Sequence, residues 1–252
     1  MWKDMGMALG FLSRLRLPGQ GTAIAAPEEV ARSLAAFPIV GLILGTLQAA
    51  AGWGLSFAFS AQLSALWVVA LGTWLTRGLH LDGLADVADG VGGAYEPSRR
   101  LAIMKDSRVG TFGVLALIFD IGLKVFSVAG LLAAQRWSAL ILVPALSRCT
   151  MVLCTYKIPY ARAEGGLGKA FLDHVGRREL VWAAVWAVTA AVALEGLSGV
   201  FLAGMALAAA VPLRRAAKRW IGGMTGDMLG AVNEVTEIAL YHAALGLIVG
   251  VG

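Results

Sequence analysis

Charge is scarce in this sequence. Of 252 residues only 15% are Asp, Glu, Lys or Arg, where soluble domains carry about 25%. A soluble globular fold is excluded on that ground. No polar stretch exceeds about 35 residues, too short for a separate soluble domain, so residues 1–252 read as one domain. Cysteine is nearly absent. Cys149 and Cys154, the two present, both lie in an apolar segment. That excludes a disulfide framework and a cysteine-rich metal site, and leaves two small hydrophobes. The start, MWKDMGMALGFLSRLRLPG, lacks a clean apolar core and a small-residue cleavage site. It is expected to form a short amphipathic helix at a membrane interface rather than a signal peptide. The net charge is +5, but basic residues near apolar helix ends follow membrane orientation. No nucleic-acid partner is expected.

Apolar runs are what the chain has in abundance. Hydrophobic residues make up 58% of it, and mean hydropathy is +0.75. Several windows of about 16–20 residues are long enough to cross a hydrocarbon core. The predicted fold is an all-α, polytopic integral membrane bundle of about seven transmembrane helices. Spans are expected near 34–58, 61–78, 110–134, 137–156 and from about 232 to the C-terminus. Residues 180–213 would supply two short spans hinged at Glu195-Gly196-Leu197-Ser198-Gly199. With the N-terminus in the cytoplasm, all 21 Lys and Arg fall in cytoplasmic segments except Arg136, Lys124 and Arg148. This is a positive-inside pattern, and it predicts a multi-pass protein in contact with membrane lipid. Lys124 and Arg148 fall within spans, where charges need partners. Asp120 and Lys124, four apart, can pair on one helix. Arg148 has no partner in its own span and could reach toward a bound anion.

The charges that do occur are clustered. TRGLHLDGLADVADG, residues 76–90, follows an apolar helix and holds His80, Asp82, Asp86 and Asp89. Spacings of four and three put the carboxylates on one helical face within about 60°. Three like charges on one stripe repel, so something cationic should offset them, and hard oxygens beside phosphates suit Mg²⁺. A second stripe, GGMTGDMLGAVNEVTE at 222–237, carries Asp227, Glu234 and Glu237 after glycines. Two such stripes at one membrane surface can close on a site from two sides, an arrangement suited to in-line displacement at phosphorus. The expected metal ligands are Asp82, Asp86, Asp89, Asp227 and Glu234.

Basic segments border both stripes. RRLAIMKDSRVGTFG, residues 99–113, offers Lys105 and Arg108 beside glycine backbone, as a pyrophosphate needs. ARAEGGLGKAF, residues 161–171, forms a basic glycine loop around Lys169 that could serve as a lid. It lacks the P-loop spacing. Lys218 and Arg219 precede the second stripe. With Arg77 and Arg148 these complete the candidate phosphate-binding set. Glu28 and Glu29 are expected to cap the helix that follows them. From the residues alone, the chain reads as an integral membrane phosphotransferase using Mg²⁺ at the cytoplasmic face. The competing reading is a cation transporter. A transporter would bury its carboxylates near mid-membrane, whereas these gather at predicted helix ends.

FLSRLRLPG, RSLAAFPIVGLILG, RGLHLDGLADVADG, IMKDSRVGTFGVLAL, SRCT, ARAEGGLGKAF and GGMTGDMLGA occur in the order found in the cobalamin synthase family, adenosylcobinamide-GDP ribazoletransferases. The chain resembles that family over nearly its whole length. The resemblance implies a Mg²⁺-dependent transferase of the bacterial cytoplasmic (inner) membrane in vitamin B12 synthesis. Its substrates would be adenosylcobinamide-GDP and α-ribazole or its 5′-phosphate, with GMP released. A homo-oligomer is compatible with the sequence. On this reading Asp82, Asp86, Asp89, Asp227 and Glu234 hold the metal, and Lys105 and Arg108 steady the phosphates. A carboxylate such as Asp82 or Asp227, or His80, accepts a proton. The acidic pattern is also similar to that of the CDP-alcohol phosphotransferases, but the DxxDGxxAR form of that family is absent.

Overall fold

The structure is a computed structural model that describes residues 2–17 and 26–249. Pro18 and Gly19 of FLSRLRLPG, and residues 250–252 of the last expected span, lie outside the described residues. Two short helices open the chain, α1 (Trp2–Leu12) and α2 (Pro27–Ser33). The long apolar helices α3 (Phe37–Leu55) and α4 (Ala61–Leu75) follow. α5 (Leu79–Gly93) and α6 (Pro97–Ile103) occupy the polar stretch before α7 (Thr111–Ala133) and α8 (Trp137–Thr155). The short α9 (Leu167–His174) precedes α10 (Arg177–Ile221) and α11 (Gly226–Val249). Among the described residues the only β pairing is an isolated parallel bridge, Tyr160 to Met224.

Four helical segments are long and apolar enough to cross a membrane: Pro27–Leu55, Thr111–Ala133, Trp137–Thr155 and Arg177–Ile221. Ala61–Leu75 is apolar but shorter. Their outward faces carry large apolar side chains such as Trp53, Trp67, Phe119, Phe126 and Phe201. Such a surface calls for an apolar solvent. α8 runs through the centre with most of its residues buried. α3 lies against it through Gly41 and Gly45, a small-xxx-small pair that lets backbones meet. A Cβ on Gly41 would lie 2.3 Å from the Pro144 carbonyl oxygen, and one on Gly45 2.5 Å from that of Ile141.

α10 doubles back on itself. Gly196 leaves helical geometry at φ 56° and ψ −128°, in the hinge the sequence marks. Arg177, at the start, reaches Tyr156 at the end of α8 (3.3 Å). Glu195, before the break, accepts bonds from Arg136 and Ser138 at the start of α8. After the break the chain returns, and Arg214 donates to the Leu153 carbonyl at 2.8 Å. The arms come so close that a Cβ on Gly199 would lie 2.0 Å from the Ala191 carbonyl oxygen. α11 starts at Gly226, earlier than the expected 232, because Thr225 caps it. The Thr225 hydroxyl accepts the Met228 N–H at 3.1 Å and so satisfies one of the free N–H groups of the first turn.

Two expectations are corrected here. Glu28 and Glu29 do not cap the first span: they lie in the first turn of α2, and the N-cap of α3 is Ala36, with no side-chain cap. Glu29 instead pairs with Lys3 at 2.6 Å, and Glu28 lies 3.6 Å from His174. Arg77 is not placed for phosphate. Its guanidinium donates to the carbonyls of Gly10 (2.9 Å) and Phe11 (3.2 Å), the open C-terminal end of α1. Cys149 and Cys154 are buried and free, as expected.

Candidate active site

The two acidic stripes meet because α5 and α11 touch backbone to backbone. Only glycine allows this at residue 83, where a Cβ would lie 2.6 Å from the Asp227 carbonyl oxygen. Gly230, a turn further along α11, gives the same close approach against His80. Asp82 is exposed, and Asp86 and Asp227 are half-buried. Burial, with the charges of Asp227 and Asp82 nearby, pushes the Asp86 carboxyl up to about 7. Burial and like charge both disfavour the ionised form here, and Arg162 is the cation that opposes them.

Asp89 lies on the same face of α5 but serves another purpose. Its carboxylate accepts the backbone N–H groups of Gly110 (2.7 Å) and Gly113 (2.8 Å). These open α7, so a negative charge sits at the positive end of that helix. A Cβ on Gly110 would come within 2.5 Å of Asp89 Oδ1, and one on Gly113 within 2.4 Å of Oδ2. The HLDGLADVADG and KDSRVGTFG elements are thus two halves of one joint. Asp89 is removed from the ligand set for this reason.

Glu234, His80 and Arg148 belong to a second, deeper cluster. Lys124 of α7 binds Glu234 closely, with Glu237 at 3.1 Å and Asp120 at 3.3 Å. Arg148 of α8 donates to Glu237 at 2.5 Å and to the Pro144 carbonyl at 3.1 Å. Asn233 bonds Glu234 and Ser147. Glu234 is 4% exposed, Arg148 3% and His80 2%. His80 Nδ1 stands 3.8 Å from Glu234. The space they line, about 40 Å³, has room for a few waters and none for a nucleotide. Glu234 is therefore not in the rim, and Arg148 is held by a carboxylate rather than offered to a phosphate. The chain does carry carboxylates in its interior, contrary to the expectation that its acids gather at helix ends. They are largely neutralised where they stand.

The expected phosphate ligands are spread more widely. Lys105 reaches Glu164 of the 157–166 loop at 3.1 Å, bringing two loops together beside the rim. Arg108 is held by Asp106 at 2.7 Å with its side chain 87% exposed, and it holds the Asp106 carboxyl down to about 2. Lys169 pairs with Asp173 on the exposed face of α9. Lys218 and Arg219 are exposed on the last turn of α10.

One residue of the rim lies within the ARAEGGLGKAF segment without standing out there. Arg162 donates to Asp227 at 2.5 Å. In sequence the loop directs attention to Lys169, and a partner as distant along the chain as Asp227 leaves no local spacing that would mark Arg162. Among the described residues, no group of three or more His, Cys, Asp or Glu forms a closed metal cage. The donor chemistry nonetheless fits Mg²⁺, which is bound by one or two carboxylates and completes its shell with water and substrate phosphates.

Comparison with known proteins adds to this geometry. A family model described as Cobalamin-5-phosphate synthase matches residues 4–245. Among curated relatives, a protein of Syntrophobacter fumaroxidans is 46% identical over 244 residues, covering 97% of this chain and 98% of the relative. One of Ectopseudomonas mendocina is 44% identical over 249 residues (96% and 98%), and one of Citrobacter koseri 39% over 240 (94% and 97%). All three carry the name adenosylcobinamide-GDP ribazoletransferase. No solved structure matches the chain.

Proposed function

The chain belongs to the cobalamin-5-phosphate synthase family, and from that premise we propose that it joins adenosylcobinamide-GDP to α-ribazole or its 5′-phosphate. A ribose hydroxyl oxygen of the ribazole forms the new bond to the phosphorus that carries the cobinamide. The bond from that phosphorus to the bridging pyrophosphate oxygen breaks, and GMP leaves with the oxygen. The hydroxyl proton passes to a rim carboxylate. His80 lies too deep to take it directly. The observation that carries the reading is the convergence of Asp82 and Asp86 with Asp227, from distant parts of the chain, beside the basic loops at 105–108 and 157–166.

Asp82, Asp86 and Asp227 are the residues that would hold Mg²⁺, which when bound supplies positive charge to the phosphates. Lys105 and Arg108, both exposed, would exchange their carboxylate partners to steady the pyrophosphate and the departing GMP. The backbone contacts at Gly83 and Gly230 keep α5 and α11 in register, so the carboxylates face a substrate already oriented.

The same proposal sets the protein in the bacterial cytoplasmic membrane. Crossings by α3, α4, α7, α8, the two arms of α10 and α11 give about seven spans and leave the rim on the cytoplasmic side with the basic segments. The test is transfer from adenosylcobinamide-GDP to α-ribazole by membranes containing the protein, with and without EDTA. GMP and cobamide should appear together and cease with EDTA. A cation transporter would release neither, and a CDP-alcohol enzyme would require its own donor.

A further inference from the structure

We propose that Arg162 is a substrate-phosphate ligand whose ion pair with Asp227 is the resting half of an exchange. When a pyrophosphate enters, the guanidinium moves onto phosphate oxygens and releases the Asp227 carboxylate toward the cation. This rests on the transferase reading above.

Four observations carry it. Arg162 uses one nitrogen, Nη2, for its close contact with Asp227 Oδ2 at 2.5 Å; the same nitrogen is 3.5 Å from the Met104 carbonyl. Its Nε–H is buried and has no partner among the described residues. A guanidinium has five donors in a planar fork; the Nε–H is unspent, and an unpaired buried donor carries a desolvation cost. That fork matches a phosphate edge better than a single carboxylate oxygen. Second, Arg162 is the cation bonded directly into the rim of Asp82, Asp86 and Asp227. It is also the cation whose charge acts on Asp86, so an anion entering the rim meets it among the carboxylates, with Lys105 and Arg108 on the neighbouring loop. Third, the backbone beside Arg162 is anchored, and its side chain is held through the Asp227 contact. Ala161 N–H binds the Met224 carbonyl at 3.0 Å and Met224 N–H binds that of Pro159 at 2.9 Å. Arg162 therefore pivots from a fixed point beside the start of α11. Fourth, Asp227 does not depend on Arg162 alone, since Thr225 Oγ1 lies 3.4 Å from the same oxygen.

The exchange predicts opposite effects on two ligands, which a merely structural arginine would not produce. In purified full-length protein in detergent, Arg162→Ala should bind Mn²⁺ several-fold more tightly than wild type in the absence of substrate, read by electron paramagnetic resonance. The same variant should bind inorganic pyrophosphate more weakly and raise KM for adenosylcobinamide-GDP by about tenfold or more, the loss of a charged hydrogen bond. Arg162→Lys keeps the charge without the fork. It should fold if alanine does not, and should show a smaller rise in KM with Mn²⁺ affinity near wild type. Unchanged pyrophosphate binding and KM in both variants would overturn the role of Arg162. So would weakened Mn²⁺ binding in a folded alanine variant. Wild type that releases no GMP would instead overturn the transferase reading itself.

Discussion

The molecule holds two acidic clusters that differ in what surrounds them. At the rim, Asp82, Asp86 and Asp227 face one another with Arg162 bonded to Asp227, and burial together with the neighbouring carboxylates pushes Asp86 up to about 7. In the interior, Asp120, Glu234 and Glu237 meet Lys124 and Arg148, with Asn233 and Ser147 filling further bonds. The same residue type serves two ends. Carboxylates left short of positive charge at an accessible surface await a ligand. Carboxylates paired inside an apolar bundle fix the positions of α7, α8 and α11 relative to α5. Charge balance separates the two roles, and proximity to a motif does not.

The comparison can be broken most forcefully at Lys124. Lys124→Met strips three buried carboxylates of their common partner, and breaking a buried ion pair costs about 3–5 kcal/mol. Thermal unfolding in detergent should drop markedly, or the protein should fail to accumulate in membranes. An unchanged melting midpoint would remove the interior cluster from the structural account. Glu234→Gln is milder, because Lys124 keeps two carboxylates. It should cost about 1–3 kcal/mol and leave the Mg²⁺ concentration for half-maximal transfer where it is in wild type. A shift of that concentration would return Glu234 to the rim. Asp89→Asn weakens a charged cap on α7 and should cost about 1 kcal/mol, visible as a lower melting midpoint with metal dependence intact. Lys169→Ala removes an exposed pair with Asp173 and should leave transfer within about twofold of wild type.

The helices are legible in the sequence because apolar length and charge placement are local properties of a chain. Gly196 marks the reversal of α10 because glycine readily takes its positive φ. The carboxylate stripe on α5 is legible from spacing, but spacing cannot divide it. Asp82 and Asp89 share a face, and only the approach of Gly110 and Gly113 turns Asp89 into a cap. Glu234 follows Asp227 by two helical turns and so reads as belonging to one stripe. That distance along α11 carries it from the surface into the bundle, where Lys124 takes it. Arg162 is hidden for the converse reason, since its importance comes from a partner in a different segment.

The central claim is that the rim performs the transfer. Its most direct test is GMP release from adenosylcobinamide-GDP and α-ribazole by purified Asp82→Asn protein, measured beside its melting midpoint. Asp82 is exposed and, among the described residues, makes no side-chain bond between helices, so the account predicts a fold as stable as wild type with transfer lowered by about 100-fold or more. Full transfer by a folded Asp82→Asn protein would contradict it.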